Sequence, residues 1–440
     1  MHTDSAELRA RVDGSPMSRM QWSAIVVCML LNVLDGFDVL VMSYTSAAVS
    51  QEWSLSGSQL GLLLSAGLVG MAWGSLLLAP MADRIGRRAL ILACLVVAAA
   101  GMLGSALSQD AVQLGLLRVL TGVGVGGILA SSNVIAAEYA NGRWRGLAVS
   151  LNVAGYAVGA TAGGVITVAL QSSSGWRSVF VFGGAGTAML IGAVLWRLPE
   201  SLDFLLTQRS PRALDRLNEL LLAMKQPTLE AMPDRPDTPA GPALTVRQVL
   251  TPQLRRNTLL TWVGFFTAMS TFYFVTSWTP KLLVEAGLSA AQGITWGVWL
   301  ALGGIFGTMV LGLLAARFPL KHLLVGYTLA TAALLALFIP AISTYGLLLA
   351  LGALIGLFLN GCVAGLYALA LSTYPPEVRA TGVGWGVGMG RIGSLVSPLA
   401  AGGLLDSGWG PGQLYLAAAV VFAVGGLAVH AVRLSSRVPR

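Results

Sequence analysis

Long apolar runs dominate this sequence. Each is about 18–25 residues long, the length that an α-helix needs to cross about 30 Å of hydrocarbon. The chain of 440 residues is 55% hydrophobic and only 10% charged, which excludes an ordinary soluble domain. The sequence therefore predicts an all-α membrane protein with twelve spans, near 21–45, 58–79, 89–108, 112–137, 146–170, 177–198, 257–283, 292–316, 321–341, 344–372, 380–405 and 411–433.

The basic residues predict the orientation of these spans. Of the 27 Lys and Arg residues, 23 lie on one side of the predicted spans and only Arg177 and Lys281 lie on the other. Positive loops stay in the cytoplasm, so both termini and the central loop are expected there. The tails are then residues 1–20 and 434–440, and the first span is too long and too charged to be a cleaved signal.

One polar segment divides the chain. The segment, about 199–256, is partly Pro-rich, and six predicted spans lie on either side of it, over 21–198 and 257–433. A shift of 233 residues also aligns the two sides, laying Gly70 on Gly303 and Arg84 on Arg317. The sequence therefore predicts two related six-helix halves, an arrangement with which transporters form a midplane site.

Four charged residues lie well inside the spans, away from their ends. Asp35 and Asp38 are in the first, Arg118 in the fourth and Arg391 near the middle of the eleventh. A charge at a helix centre costs about 2.5–3.5 kcal/mol by insertion measurements, so such residues usually mark a pathway. From the rise of an α-helix, Asp38 and Arg118 are expected at one depth, roughly 10 Å below the outer helix ends.

These four charges sum to zero, which suggests a mechanism. An anionic substrate would add one negative charge, so its binding and the protonation of an aspartate should favour each other. The three histidines lie at termini or helix ends. Asp35 or Asp38 is therefore the expected proton carrier, with Arg118 as the counter-charge. Arg391 is the expected partner of a substrate carboxylate, or alternatively a structural partner of an acid.

The loop APMADRIGRR, after the second span, resembles the signature of the major facilitator superfamily. Ala79 and Met81 depart from that signature. The resemblance implies a cytoplasmic gating loop, although its arginines could serve orientation alone. With charges at neighbouring helix ends, the predicted gating residues are Asp83, Arg84, Arg87, Arg88, Glu138, Arg145, Arg317 and Arg379.

Further stretches resemble one branch of that superfamily, the aromatic acid:proton symporters. They are LDGFD, RVLTGVGVGG, AAEY and YPPEVRATGVGWGVGMGRIGSLVSPLAAGG. The resemblance implies import of benzoate-like or hydroxybenzoate-like anions through a bacterial inner membrane, driven by the proton gradient with no cofactor. An aromatic substrate needs apolar walls and a few orienting polar groups. The predicted substrate-binding residues are Arg391, Asp38, Tyr44, Asn152, Tyr156, Tyr273, Asn360, Tyr367 and Trp385.

Other functions remain open at this stage. A dicarboxylate such as a muconate would suit the two arginines within the spans, Arg118 and Arg391. The fifth span resembles the drug:proton antiporter pattern in the spacing of Gly155, Gly159, Gly163 and Gly164. A drug exporter is less compatible, because Ala160 replaces the hallmark Pro of that pattern and Arg391 would repel cationic drugs. A sensor or scaffold would have lost transport altogether. No catalytic motif, metal-ligand spacing or disulfide framework is evident, and neither a nucleic-acid partner nor an oligomer is expected.

Overall fold

The structure, a computed structural model, describes residues 5–208, 211–233, 246–338 and 340–433, which form helices and no strand. The helices are α1 Ser5–Gly14, α2 Arg19–Trp53, α3 Gly57–Ile85, α4 Arg87–Ala106, α5 Ala111–Tyr139, α6 Arg145–Ser174, α7 Trp176–Arg197, α8 Leu202–Thr207, α9 Pro211–Ala223, α10 Val246–Val249, α11 Arg255–Glu285, α12 Ala290–Ala315, α13 Leu320–Phe338, α14 Tyr345–Thr373, α15 Arg379–Asp406 and α16 Pro411–Ala431.

Eleven of the described helices are long and apolar enough to cross a membrane. They correspond to eleven of the twelve predicted spans, so the prediction of an all-helical membrane protein is confirmed. The exception is α15, which has 28 residues but is rich in glycine and carries Arg391. No stretch of α15 reaches the mean hydropathy of the other eleven helices. The count of twelve spans stays a prediction.

The chain forms two compact units. Unit 1 consists of Met1–Val39, Ala66–Ala160 and Arg177–Ala240, and unit 2 of Leu40–Ser65, Thr161–Trp176 and Gly241–Arg440. Three helices, α2, α3 and α6, therefore contribute to both units. The predicted halves, 21–198 and 257–433, differ from these units because 40–65 and 161–176 belong to unit 2.

Glycines bring helices into backbone contact in both units. In unit 1, a Cβ atom on Gly70 of α3 would overlap the carbonyl oxygen of Val119 of α5. In unit 2, a Cβ atom on Gly303 of α12 would overlap that of Ala353 of α14 in the same way. Small residues allow such close approach in lipid. The predicted alignment of Gly70 with Gly303 thus corresponds to one packing geometry, repeated in each unit.

The N-terminal helix α1 packs against α8 and α9 of unit 1. Leu8 and Val12, one turn apart on α1, are buried in the same cluster as Leu217 and Leu221 of α9. Ion pairs join Arg9 to Asp203 and Asp13 to Arg145. The predicted tail 1–20 thus includes a docked helix, a feature that its mixed charges did not suggest.

In unit 2, polar contacts join the C-terminal part of α2 and the N-terminal part of α3 to α11 and α15. The Ser43 hydroxyl of α2 donates to the carbonyl oxygen of Thr276 of α11 at 2.6 Å. The backbone N–H groups of Gly57 and Ser58, at the start of α3, donate to the Asp406 carboxylate at 2.6 and 2.8 Å. Asp406 therefore caps α3 from the end of α15.

The Asp406 cap predicts a pH dependence of stability. Hydrogen bonds from the side chain and backbone of Ser58 and the backbone of Gly57 lower the pKa of Asp406, which lies one residue beyond the predicted eleventh span. The cap therefore stabilises fully above the unfolded-state pKa of about 3.9 and is lost as the pH falls through the lower folded pKa. We expect Asp406→Asn to lower the melting temperature equally at every pH between about 8 and 5. If the difference in melting temperature between the variant and the wild type changes within that range, the effect belongs to another group.

All three cysteines, Cys28, Cys94 and Cys362, are free and buried. Their side chains are at most 2% exposed, so they pack as small apolar residues.

Candidate functional site

A buried ion pair joins α2 to α5 in unit 1. Arg118 donates from Nη1 to Asp38 Oδ1 at 2.9 Å, and the two side chains are 3% and 6% exposed. Arg118 also donates from Nη2 to the hydroxyls of Ser105 at 2.8 Å and Thr121 at 2.9 Å. Its guanidinium lies over the ring of Phe180, 4.8 Å from the ring centre. Arg118 is thus held on several sides with its charge directed at Asp38.

Asp35 lies one turn before Asp38 and is only 4% exposed. Between them, Gly36 lies against the backbone of Tyr156 on α6, where an added Cβ atom would overlap the Tyr156 carbonyl oxygen. Gly159 meets the carbonyl oxygen of Val33 in the same way. The α2 backbone is therefore fixed against α6, and the phenol of Tyr156 remains partly exposed beside it.

Three asparagine side chains form a hydrogen-bonded chain across α2, α6 and α5. Asn32 Nδ2 donates to Asn152 Oδ1 at 2.8 Å, and Asn152 Nδ2 donates to Asn133 Oδ1 at 2.6 Å. Asn152 is completely buried, with both ends of its amide engaged. In this conformation Asn152, predicted to contact the substrate, contacts other amides instead. The residue at the exposed end of the chain is Asn133, which the sequence did not single out.

In unit 2, Arg391 of α15 lies near Tyr367. It is exposed, and among the described residues its guanidinium forms no ion pair. Tyr367 of α14 is close enough to interact with it electrostatically. The ring of Tyr367 packs edge-on against Phe265 of α11, with centroids 5.3 Å apart. Trp385 is 45% exposed and packs against Trp262 at 5.9 Å. This region combines an available cation with aromatic surface.

The other predicted substrate residues of unit 2 are Tyr44, Asn360 and Tyr273. Tyr44 is 2% exposed and packs against Gly297, where an added Cβ atom would lie 2.9 Å from its ring. Asn360 lies over Gly304 and donates from Nδ2 to the carbonyl oxygen of Gly356 at 3.0 Å. Tyr273 is partly buried. Of the predicted substrate residues in unit 2, the structure places Tyr367 near Arg391.

The signature loop of unit 1 is anchored by one buried acid. Glu138, at the C-terminal end of α5, forms an ion pair with Arg87 and accepts a hydrogen bond from the Ser201 hydroxyl at 2.8 Å. Asp83 is 78% exposed and lies 3.9 Å from Arg87. Gly86 has φ +97°, a conformation that glycine adopts without strain. Arg87 and Glu138 thus hold the loop to α5, whereas Asp83 remains outside that contact.

The remaining predicted gating residues are dispersed. Arg88 donates from Nη2 to the carbonyl oxygen of Leu195 at 2.6 Å. Arg145 bonds Asp13 and also donates to the carbonyl oxygen of Ala137 at 3.2 Å. The exposed residues of the set are Arg84, Arg317 and Arg379. Arg379 donates from Nε to the carbonyl oxygen of Tyr374 at 3.4 Å. The gating roles of all these residues stay predictions.

The buried Glu138 pair yields a stability prediction. Arg87→Met would leave Glu138 buried without its cation, which typically costs about 3–5 kcal/mol of stability. Adding Glu138→Gln removes the uncompensated charge, so the double variant should recover much of the loss. Thermal or denaturant unfolding in detergent measures this. The control is Arg84→Met in the same loop, expected within about 0.5 kcal/mol of wild type. Equal losses for Arg87→Met and Arg84→Met would contradict the prediction.

The helices, the charged residues within them and the two-unit architecture define a membrane transporter. Comparison with known proteins identifies its family, because the model described as Major Facilitator Superfamily matches residues 26–320 and 292–440. The chain therefore belongs to the major facilitator superfamily, as the signature loop predicted, and it is a transporter rather than an enzyme.

Sequence relatives refine this placement. The chain is 32% identical to the gallate transporter of Pseudomonas putida, covering 91% of this chain and 89% of that protein. It is 31% identical to the 4-hydroxybenzoate transporter PcaK of Pseudomonas aeruginosa, covering 96% of this chain and 95% of that protein. The predicted resemblance to aromatic acid transporters is therefore confirmed.

Solved structures agree on the fold. The crystal structure of a D-xylose-proton symporter matches with a TM-score of 0.71 at 18% identity, covering 93% of this chain and 96% of that one. The inward open conformation of the xylose transporter XylE from Escherichia coli matches with the same score and identity, covering 95% and 97%. At this identity the similarity concerns the fold alone.

Proposed function

We propose that this protein imports an aromatic carboxylate together with protons across a bacterial inner membrane. The observation that carries the proposal is the exposed Arg391 beside Tyr367, with no ion pair among the described residues. A guanidinium can form two parallel charge-assisted hydrogen bonds to a carboxylate. The exposed rings of Tyr367 and Trp385 offer aromatic surface to the substrate. The names of the relatives support the same substrate class.

Proton coupling is proposed for the Asp38 and Arg118 pair in unit 1. A proton on Asp38 would remove the charge that Arg118 faces at 2.9 Å and so weaken their bond. It would thereby favour a conformation that does not need the pair. Asp35, buried one turn away on α2, is the alternative proton carrier. The driving force is the proton gradient, and the proposal includes no bound cofactor.

The proposed transporter has twelve spans, because α15 is counted with the other eleven, and both termini lie in the cytoplasm. It works as a monomer by alternating access, with the loop held by Arg87 and Glu138 as part of its cytoplasmic gate. The charge asymmetry of the loops supports this orientation. The low hydropathy of α15 suits a helix that lines a polar path rather than facing lipid.

Uptake into proteoliposomes tests the proposal. Labelled 4-hydroxybenzoate, benzoate and muconate are offered with an inward proton gradient, and again after an uncoupler has collapsed it. We expect the aromatic acids to accumulate only with the gradient, and protein-free liposomes serve as the control. Accumulation of muconate alone would replace the aromatic substrate with a dicarboxylate. No accumulation of any acid would overturn the proposal.

A further inference from the structure

The asparagine chain of unit 1 has a fixed polarity. At one end Asn32 donates from Nδ2 to the carbonyl oxygen of Cys28 at 3.2 Å, and at the other Asn133 donates from Nδ2 to that of Leu129, also at 3.2 Å. A carbonyl oxygen only accepts, so each terminal amide must turn its nitrogen towards its carbonyl. Asn152 then bridges the two in one orientation. The Asn133 amide is therefore held in a defined direction.

Asn133 keeps unused hydrogen-bonding capacity. Its Oδ1 accepts from Asn152 and its Nδ2 donates to Leu129, which leaves one N–H donor and one oxygen lone pair. Its side chain is exposed, whereas Asn152 is completely buried. The chain of amides thus presents one donor and one acceptor at its exposed end.

Asn133 is exposed on a different side of α5 from the exposed apolar residues of that helix. Leu116, Leu120 and Val134 are 67%, 41% and 36% exposed. At 3.6 residues per turn, Leu116 and Val134 fall at the same helical angle, and Asn133 is turned about 100° from them. An amide in hydrocarbon would lack hydrogen-bond partners at considerable cost. This cost favours a position in which exposed Asn133 meets water or a polar solute rather than lipid.

We propose that Asn133 is a specificity-determining residue that hydrogen-bonds a ring hydroxyl of the transported aromatic acid, and that Asn152 and Asn32 are its positioning residues. A ring hydroxyl both donates and accepts, which matches the two free positions of the amide. A carboxylate only accepts and is better served by arginine. The inference rests on the proposed function and adds to it a preference for hydroxylated rings.

Binding to purified full-length protein in detergent tests the inference, with 4-hydroxybenzoate and benzoate as the probes. One hydrogen bond is worth about a three- to tenfold difference in affinity, so the wild type should prefer 4-hydroxybenzoate by that factor. Asn133→Ala should remove the preference and leave benzoate affinity unchanged. Asn152→Ala should reduce the same preference in part, because Asn133 then loses its orientation. Val134→Ala, on the neighbouring apolar face, is the matched control and should change neither affinity.

Each outcome has one meaning. An equal loss for both acids in Asn133→Ala indicates a structural role, and an unchanged preference indicates no contact, so either result overturns the inference. Equal wild-type affinity for the two acids overturns it as well, while the proposed function stands. Wild-type protein that binds neither acid overturns the proposed function and the inference with it. Thermal melting of each variant verifies that it is folded.

Discussion

Asp38→Asn is expected to abolish proton-driven accumulation of substrate. With one proton per anion and the membrane potential held at zero, each pH unit of gradient supports about tenfold accumulation. Wild-type proteoliposomes with a two-unit gradient should therefore approach about a hundredfold, and the variant should stay near onefold. The physical reason is that Asn cannot change its charge, so the bond to Arg118 no longer responds to a proton. Labelled 4-hydroxybenzoate uptake measures the ratio.

Exchange of substrate without a gradient provides the control for this variant. A protein that has lost only coupling still exchanges labelled for unlabelled anion, so counterflow should persist in Asp38→Asn. Asp35→Asn distinguishes the two candidate carriers, because only the residue that takes up the proton should uncouple transport. Normal gradient-driven accumulation in both variants would eliminate the aspartates as the proton site.

Arg391→Lys is expected to weaken substrate binding by about ten- to a hundredfold, the range for losing a strong hydrogen bond to a charged group. Lysine keeps the positive charge but not the planar fork that pairs with both carboxylate oxygens. The loss should be equal for benzoate and 4-hydroxybenzoate, because both carry the carboxylate. Competition binding to purified protein measures both affinities.

Arg256→Lys is the matched control, since Arg256 is also exposed and lies at the start of α11, outside the aromatic region. It should leave both affinities unchanged. Unchanged affinity in Arg391→Lys would instead move the anion site, with Arg118 as the remaining arginine within a predicted span. A loss confined to 4-hydroxybenzoate would assign Arg391 to the ring substituent rather than to the carboxylate.

The membrane helices were predictable because lipid leaves a spanning backbone few alternatives to the helix. The constant rise of a helix likewise placed Asp38 and Arg118 at one depth, and the structure brings them into contact. Neither inference needs knowledge of which helices are neighbours. The eleventh predicted span is the exception, since the glycines that let α15 pack closely also lower the hydropathy by which a span is recognised.

Contacts that depend on tertiary packing were not predictable. Asn152 lies in a helix with glycine and alanine on several sides, so the pattern could not tell a buried amide from one that faces substrate. Glu138 was placed near arginines by sequence, but Ser201 joins it from a distant loop. For α1, the spacing of Leu8 and Val12 by four residues was a signal for an amphipathic turn. Such a short helix is stabilised mainly by docking, which no local pattern reveals.

The buried state of the three native cysteines makes this protein suitable for site-directed labelling. A maleimide reacts with an accessible thiolate, and Cys28, Cys94 and Cys362 are at most 2% exposed. A cysteine introduced on an exposed loop should therefore react selectively in the wild-type background. Pairs of probes on the two units would then report distances during transport without removing any residue from the helix packing.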